Sequence, residues 1–367
     1  MKNALKFGIA AAIIVAVVAS SAILANPSLN AGPSGNGTNN DNDDNNNVQP
    51  GGRKVLRIGY FPNINHAQAM IGLGNGDFQK VLGDNVEVKT QVFNAGPSAI
   101  EALFANQVDV TYIGPNPAIN GYVQSDGEAL KIISGAASGG AVFVVRNDVG
   151  INSVDDLANK KFASPQLGNT QDVALRKYLL DHGYKTKENG GNVEVLPAKN
   201  ADIVTLMIKK EIDGGWVPEP WGAKIIKEAN AKLFVDERDL WPNGDFVTAH
   251  IIARTDYLEK NPDIIKKLLD AHIAETEWIN NNPDEARKVF NAELEKLTGK
   301  TIPVDEYIEG ISRLKLTYDP IKASLFKSAN DAFDVGFLGD TRPNLEEIYD
   351  LSPLNEVLKE KGLEEIQ

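Results

Sequence analysis

The chain has 367 residues, and its 37 Lys and Arg against 50 Asp and Glu give a formal net charge of −13. The acidic balance argues against general nucleic-acid binding, which needs a basic surface to displace counterions. The absence of cysteine excludes disulfides, thiolate catalysis, iron–sulfur clusters and a lipid-modified cysteine anchor.

The N-terminus carries an export signal. Lys2 and Lys6 precede an uncharged apolar run over residues 7–25, and this order of charge and hydrophobicity is typical of exported proteins. The run is close to the roughly 20 residues that span a bilayer. Residues 1–25 are therefore either a cleaved signal peptide or an uncleaved signal anchor that holds the protein to the membrane through residues 7–25. Both interpretations predict an extracytoplasmic location, in the periplasm or on the outer face of the cell membrane.

The next segment, residues 26–53, is rich in Asn, Gly and Pro. Such a composition cannot bury enough apolar surface to offset the entropy of ordering the chain, so we predict a flexible linker. Asn36 begins the sequon Asn36-Gly37-Thr38, which carries a glycan only if the cell glycosylates exported proteins.

From residue 54 onward, strands and helices alternate. Short apolar strands are predicted at 55–60, 86–93, 108–113, 130–134 and 141–146. Helices are predicted between them, at 65–82, 97–106 and 116–123. This order predicts an open, mostly parallel sheet with helices on both faces.

The alternation restarts and forms a second α/β unit from about 145 to 245. Its longest predicted helix is 169–182, and Ser153 with Asp156 predicts a capped short helix at its beginning. After an apolar strand at 247–254 the sequence predicts only helices, separated by prolines.

A helical tail cannot form its own sheet and most simply packs back on the first unit. The fold class is therefore α/β with two lobes, each an open mostly parallel sheet with flanking helices. Lobe 1 is predicted at 54–143 plus 248–367 and lobe 2 at 144–247, joined by two chain crossings with a ligand cleft between them.

Polar residues follow the predicted strands in both lobes, where ligands of such sheets bind. Helix N-termini with neutral amide and hydroxyl donors suit an anion. For any single loop, a simple capping or turn role stays an alternative. His66 would add a donor if protonated. The candidates from these loops are Asn63, His66, Asn116, Ser138, Gln166, Asn169 and Thr170.

The segment around Pro218-Glu219-Pro220 adds two further candidates. Trp216 and Trp221 flank it, and such aromatic rings either wall an organic ligand or belong to the core. Glu219 would lie at the cleft. No catalytic, nucleotide-binding or metal-binding spacing is present, so we predict neither an enzyme nor a cofactor nor a metal site.

The sequence resembles the solute-binding proteins of ABC importers for sulfonates, taurine and nitrate over nearly all of 54–362. Four segments carry the resemblance: RIGYFPNINHAQA (57–69), FNAGPSAIEALFANQVDVTYIGPNPAINGY (93–122), SVDDLANKKFASPQLGNTQDVALRKYL (153–179) and WVPEPWGAKI (216–225). The resemblance implies a type II periplasmic binding protein fold. It also implies delivery of a small organic anion to a membrane permease with its cytoplasmic ATPase.

Two departures from the family pattern bear on the ligand. Asn169 stands where the family often has a hydroxyl residue before Thr170, and Glu219 is awkward for a bare anion but suits a zwitterion. Aliphatic sulfonate or taurine-like ligands therefore rank above nitrate or bicarbonate. A pyrimidine thiamine precursor remains an alternative ligand, whereas the enzyme that makes this pyrimidine carries cysteines that the present chain lacks.

Overall fold

The structure, a computed structural model, describes residues 52–367. Eleven strands are found in this part of the chain: β1 (Lys54–Tyr60), β2 (Val86–Val92), β3 (Val110–Ile113), β4 (Leu130–Gly139), β5 (Ala141–Arg146), β6 (Lys161–Pro165), β7 (Glu194–Ala198), β8 (Gly214–Pro218), β9 (Ala231–Asp236), β10 (Val247–Arg254) and β11 (Leu314–Leu316).

The same part of the chain contains thirteen α-helices: α1 (Ala67–Gly74), α2 (Asp77–Leu82), α3 (Gly96–Phe104), α4 (Pro115–Gln124), α5 (Thr170–Asp181), α6 (Asn200–Ile208), α7 (Trp221–Glu228), α8 (Thr255–Lys260), α9 (Pro262–Asn281), α10 (Pro283–Thr298), α11 (Val304–Ile311), α12 (Lys322–Asp334) and α13 (Ser352–Glu360). The predicted helix 65–82 is divided into a 3₁₀ turn, α1 and α2. Gly76 separates the two α-helices with φ of +81°, a backbone conformation that glycine adopts without strain.

The strands form two sheets, and each sheet with the helices on it is called a lobe below. The first sheet has six strands in the order β11-β4-β10-β3-β1-β2, and the second has five in the order β7-β6-β8-β5-β9. Both sheets are mixed but mostly parallel, as predicted, because four of the six strands of the first sheet and four of the five strands of the second run in one direction. The main exceptions are β10 and β5, which enter from the other lobe and pair antiparallel with both of their neighbours.

Both faces of each sheet are covered by apolar side chains. In β5, Phe143 and Val145 pack into one cluster while Val142 and Val144 pack into another, as the alternation of a strand requires. The first sheet likewise separates two larger clusters, one of which includes α1, α2, α9 and α13. Burial on two faces explains why these strands are continuous apolar runs in the sequence.

The chain crosses between the sheets twice. The first crossing lies between Gly139, the last residue of β4, and Ala141, the first residue of β5. The second crossing leads from β9 through two 3₁₀ turns to β10. All of β5 pairs in the second sheet, so the predicted boundary between 143 and 144 falls inside this strand.

The C-terminal part returns to the first lobe, but it is not purely helical. Three residues of this tail form β11, which pairs antiparallel with β4 at the edge of the first sheet. The expectation that strands end after residue 254 is therefore wrong. Helix α12 from the same tail contacts both α4 and α5, so it lies where the two lobes meet.

The predicted signal segment 1–25 and all of the predicted linker 26–53 except its last two residues lie outside the described residues. Asn36 and its sequon belong to this part. Within residues 52–367, no helix combines the length and the hydropathy needed to cross a membrane.

Candidate functional site

Helix N-termini of the two lobes meet directly. The Asn169 Oδ1 atom, just before α5, accepts a hydrogen bond of 3.2 Å from the backbone N–H of Gly96 at the start of α3. A Cβ built on Gly114, just before α4, would lie 2.2 Å from Thr170 Oγ1. Two helices of the first lobe therefore begin against the start of α5 of the second lobe, at a distance that leaves no room for a side chain at residue 114.

A groove of about 690 Å³ opens beside this contact. We call it the α3–α6 groove, because residues near the starts of α3 and α6 form its two walls. Six of its lining residues are Asn94, Ala95 and Ser98 from the first lobe and Gln166, Lys199 and Asp202 from the second. The Ser98 hydroxyl donates a hydrogen bond of 3.2 Å to Gln166 Oε1, so the two walls touch at one end of the groove. Among the described residues that line it, none is aromatic.

The electrostatics of the α3–α6 groove favour an anion. Neither Ala95, which precedes α3, nor Lys199, which precedes α6, caps its helix through a side-chain hydrogen bond. In α3, Asn169 Oδ1 already accepts the hydrogen bond of the Gly96 N–H and Pro97 has no N–H, so the remaining first-turn donors come mainly from α6. Both helix starts also carry a partial positive charge that attracts an anion. The exposed Lys199 adds a full positive charge, which Asp202 in the first turn of α6 partly offsets.

A second, smaller cavity of about 230 Å³ lies between α5 and α12. We call it the α5–α12 cavity. Three of the residues predicted from the sequence line it: Asn116, Thr170 and Trp216. The Asn116 amide donates a hydrogen bond of 3.1 Å to the backbone oxygen of Ser328 in α12.

Glu237, in the 3₁₀ turn after β9, is the buried charge of the α5–α12 cavity. Its side chain accepts a hydrogen bond of 2.7 Å from the Trp216 indole N–H. Burial raises the pKa of Glu237 to about 7, and its hydrogen bonds to Trp216 and Trp241 counteract this only in part. The Trp216 ring is fully buried and stacks on Phe143, so it belongs to the core as well as to the cavity wall.

Asn63 lies in a third cavity, of about 300 Å³, that shares Asn94 and Thr205 with the α3–α6 groove. Its Oδ1 accepts a hydrogen bond of 2.8 Å from the Trp221 indole N–H of the second lobe. This contact is a polar bridge between the lobes. Asn63 and Gln166 thus lie in neighbouring spaces along one side of the molecule.

His66 and Ser138 do not line any of the three cavities. His66 is buried and stacks on Phe61 with ring centroids 4.5 Å apart. Burial lowers the pKa of His66 to about 3, so the protonated donor considered from the sequence does not form near neutral pH. The Ser138 hydroxyl oxygen accepts a hydrogen bond from the backbone N–H of Phe246 beside the second crossing.

Glu219 has partners within the protein for both carboxylate oxygens. Arg313 of the C-terminal tail donates to Oε1 at 2.6 Å, and the backbone N–H of Ala223 donates to Oε2 at 2.9 Å. Burial raises the pKa of Glu219, while Arg313 opposes this shift. The carboxylate therefore joins the second lobe to the tail, and it would have to give up a partner in order to bind a ligand ammonium.

The sequence analysis did not identify several residues that line the α3–α6 groove and the α5–α12 cavity. Asn94 and Ser98 follow β2, and Lys199 follows β7, so they obey the same strand-end rule that gave the other candidates. That rule could have found them. Glu237 and Trp241 lie in the second crossing, where no motif marks them. Among residues 52–367, no group of three or more His, Asp or Glu side chains is arranged to hold a metal ion.

Comparison with known proteins places the chain in a family. A model of the NMT1-like family matches residues 49–293, which is more than half of the chain. A protein from Brucella abortus, whose name calls it a binding protein without naming a ligand, is 29% identical over 186 residues. This match covers 50% of the present chain and 54% of the Brucella protein, so the chain spans about half the length of the curated relatives it matches.

Solved structures with the same architecture include two with a named ligand class. The alkanesulfonate-binding protein of Xanthomonas axonopodis pv. citri, bound to MOPS, superimposes with a TM-score of 0.65 at 16% identity, covering 78% of this chain and 94% of that one. The periplasmic nitrate-binding protein of Synechocystis PCC 6803 gives a TM-score of 0.67 at 16% identity, covering 84% and 89%. These similarities, with the two sheets described above, show that the chain has the two-lobed α/β fold of type II periplasmic binding proteins and belongs to the NMT1-like family.

Proposed function

We propose that the protein is an extracytoplasmic solute-binding protein of an ABC importer. It captures a small organic anion, an aliphatic sulfonate or a taurine-like molecule, in the α3–α6 groove and delivers it to a membrane permease driven by a cytoplasmic ATPase. The observation that carries the proposal is the groove itself, where the starts of α3 and α6 from the two lobes meet around neutral donors and Lys199.

The binding chemistry follows from that geometry. A sulfonate oxygen accepts hydrogen bonds from the free first-turn N–H groups and from the Asn94 amide. The Ser98 hydroxyl also donates to it once its single proton is released from Gln166 Oε1. Lys199 is exposed at the edge of the groove and stays hydrated there, and its positive charge attracts the anion. Donors fixed by two separate lobes are satisfied together only by a ligand that bridges them.

Size and composition favour an organic anion over the alternatives. A groove of about 690 Å³ has room for the alkyl chain of an organic sulfonate as well as for its charged group. A pyrimidine would gain from stacking on aromatic rings, but none of the described residues lining the groove supplies one. The test below therefore includes nitrate, bicarbonate and a pyrimidine as alternative ligands.

The names of the similar proteins support transport rather than catalysis. One matching structure is titled as the ligand binding component of an ABC-type import system from Staphylococcus aureus, and others as sulfonate-binding or nitrate-binding proteins. Delivery to a permease requires the binding protein to be outside the cytoplasm, in agreement with the charged and apolar N-terminus.

Ligand capture would act through closure of the lobes. The contact between Asn169 and Gly96 joins the two lobes and is lost when they separate, so a ligand that touches both lobes beside it favours the closed arrangement. Small-angle scattering of the full chain should show a smaller radius of gyration with saturating ligand. An unchanged radius would contradict the clamp mechanism.

The decisive experiment is a calorimetric titration of the full chain with taurine, ethanesulfonate, nitrate, bicarbonate and a hydroxymethylpyrimidine. We expect the sulfonates to bind most tightly. The Ser98→Ala and Lys199→Met variants should each weaken sulfonate binding about tenfold, the loss expected for one hydrogen bond to a charged group.

The matched control is Lys209→Met, which removes an exposed lysine just beyond the opposite end of α6. Its sulfonate affinity should stay as in the parent protein. Undiminished affinity in both Ser98→Ala and Lys199→Met would show that the groove is not the binding site. Tighter binding of a pyrimidine than of any sulfonate would refute the proposed ligand class.

A further inference from the structure

The α5–α12 cavity is lined by residues of both lobes and has a composition unlike that of the groove. Val173, Tyr178 and Trp216 line it from the second lobe, and Phe246 and Ser328 line it from the first. Its volume of about 230 Å³ is below the roughly 300–1,000 Å³ of pockets that take drug-sized ligands. Any occupant must therefore be small.

The buried carboxylate in this cavity has a cation only at a distance, since Lys327 lowers its pKa without forming an ion pair with it. Glu237 is only 3% exposed and forms no ion pair with a Lys or Arg of the described chain. Its partners are indole N–H groups, which are neutral donors. A buried carboxylate held only by neutral donors is costly and is stabilised by a cation that reaches it.

The lysines of the cavity are already paired with other carboxylates. Lys327 forms an ion pair of 2.7 Å with Asp331, and Lys177 forms one with Asp181. Two lysines and three carboxylates line the cavity, so once Glu237 is ionised, above about pH 7, these five groups carry one excess negative charge. The excess negative charge is that of Glu237, because each of the two lysines is paired with an aspartate.

A second observation also indicates an absent ligand. Thr170 Oγ1 is buried in the wall of the same cavity and has no hydrogen-bond partner among the described residues. An unpartnered buried hydroxyl costs free energy that a ligand atom inside the cavity would recover. Thr170 and Glu237 thus line the same cavity.

The walls suit an organic cation. Tyr178, Trp216, Trp241 and Phe246 all line the cavity, and aromatic rings attract cations through their negative faces. Trp216 is stacked on Phe143 and Trp241 on Phe246, so a ligand cation approaches the faces that these stacks leave free. The protein already shows this preference, because the Lys327 ammonium lies 4.2 Å from the centroid of the Trp241 ring.

From the aromatic walls, the unpaired Glu237 and the orphaned Thr170 hydroxyl, we propose that the α5–α12 cavity is a second ligand site, which takes a small organic ammonium ion. The ammonium pairs with the Glu237 carboxylate, and a hydroxyl or other polar group of the ligand reaches Thr170. This site is separate from the α3–α6 groove and does not depend on the proposed anion there. Because α5 and α12 belong to different lobes, an occupant would also hold the lobes together.

The test is a calorimetric titration of the full chain with choline and, separately, with its uncharged isostere 3,3-dimethylbutanol. We expect choline to bind and the isostere to bind much more weakly. Glu237→Gln keeps the shape of the side chain and should weaken choline binding at least about thirtyfold, because it leaves the cation without its counter-charge. Glu128→Gln, an exposed residue on the first lobe, is the control and should leave the affinity unchanged.

A second variant changes the affinity in the opposite direction. Lys327→Met removes a positive charge from the cavity wall and frees Asp331, so choline should bind several-fold more tightly. A merely structural role of Lys327 would not strengthen binding. The proposal is overturned if neither choline nor ethylammonium binds, if the uncharged isostere binds as well as choline, or if Glu237→Gln leaves choline affinity unchanged.

Discussion

The α3–α6 groove and the α5–α12 cavity lie on either side of the start of α5, yet their electrostatics favour ligands of opposite charge. The groove is wide, lacks aromatic residues among its described lining, and offers neutral donors with one exposed lysine. The cavity is narrow and aromatic, and it contains a buried carboxylate. The residues around Asn169 and Thr170 thus separate a space suited to an anion from a space suited to a cation.

The net charge of the chain does not decide which ligand each of the two spaces favours. The whole chain carries a charge of −13, but ligand preference depends on the few groups that face each space. In the groove these are helix starts and Lys199, and in the cavity they are Glu237 and the rings beside it. These differences between the groove and the cavity can be tested by stability measurements that need no ligand.

The largest expected effect is the pH dependence of stability that comes from Glu237. Its pKa is raised from 4.5 to about 7 by burial, so between these values the folded protein holds a proton that the unfolded chain has lost. The resulting stabilisation is present below about pH 4.5 and is lost as the pH rises through 7, by about 3 kcal/mol.

Glu237→Gln should lack this contribution, while the similar contribution of Glu275, whose pKa burial also raises to about 7, remains. Urea unfolding of the parent and of Glu237→Gln at pH 5 and pH 8 measures the difference, and Ser98→Ala serves as a groove variant that should keep the pH dependence of the parent. If the parent and Glu237→Gln show the same change in free energy of unfolding between the two pH values, the carboxylate does not titrate in this way.

The next effect tests how closely the lobes approach. Gly114→Ala places a Cβ 2.2 Å from Thr170 Oγ1, and we expect a loss of about 2 kcal/mol in the free energy of unfolding, because such overpacking forces the backbone apart. Adding Thr170→Ala removes the clashing oxygen and should restore most of the loss in a double-mutant cycle. A strictly additive cycle would show that the two residues do not meet.

A smaller effect of opposite sign is expected at Thr170 alone. Thr170→Val replaces the unpartnered buried hydroxyl with a methyl group of similar shape, so the ligand-free protein should gain about 1 kcal/mol of stability. Thermal unfolding of the ligand-free variant measures this gain. A loss of stability would mean that the hydroxyl has a partner, such as an ordered water molecule.

The smallest effect concerns the hydrogen bond between the walls of the groove. Ser98→Ala removes the donor to Gln166 at a half-exposed position, where water replaces it, so the loss in free energy of unfolding should be only about 0.5 kcal/mol. The same variant should lose sulfonate affinity about tenfold. A large loss of stability instead would assign Ser98 a structural role rather than a binding role.

The order of strands and helices could be predicted because both faces of each sheet are buried. Helix α5 was predicted at 169–182 and is found at Thr170–Asp181, and the capping box of Ser153 and Asp156 is confirmed. Strand β11 has only three residues, too few to give a periodic pattern, and its pairing with β4 depends on the returning tail.

The candidate site was predictable only where strand ends define it. Gln166 follows β6 and lies in the groove, as that rule expects. Glu237 could not be found in this way, because its surroundings are assembled from β8, α5 and α12, which are far apart in the sequence. The partners of Glu219 were equally hidden, since Arg313 lies 94 residues away.

The position of β10 has a consequence for the order in which the protein is made. This strand lies between β3 and β4, so the first sheet lacks its middle strand until residue 254 has been synthesised. The second sheet has all five strands once residue 236 has left the ribosome. Although the first lobe begins the folded chain, we expect the second lobe to complete its sheet earlier during translation, which reverses the usual N-terminal-first order of domain folding.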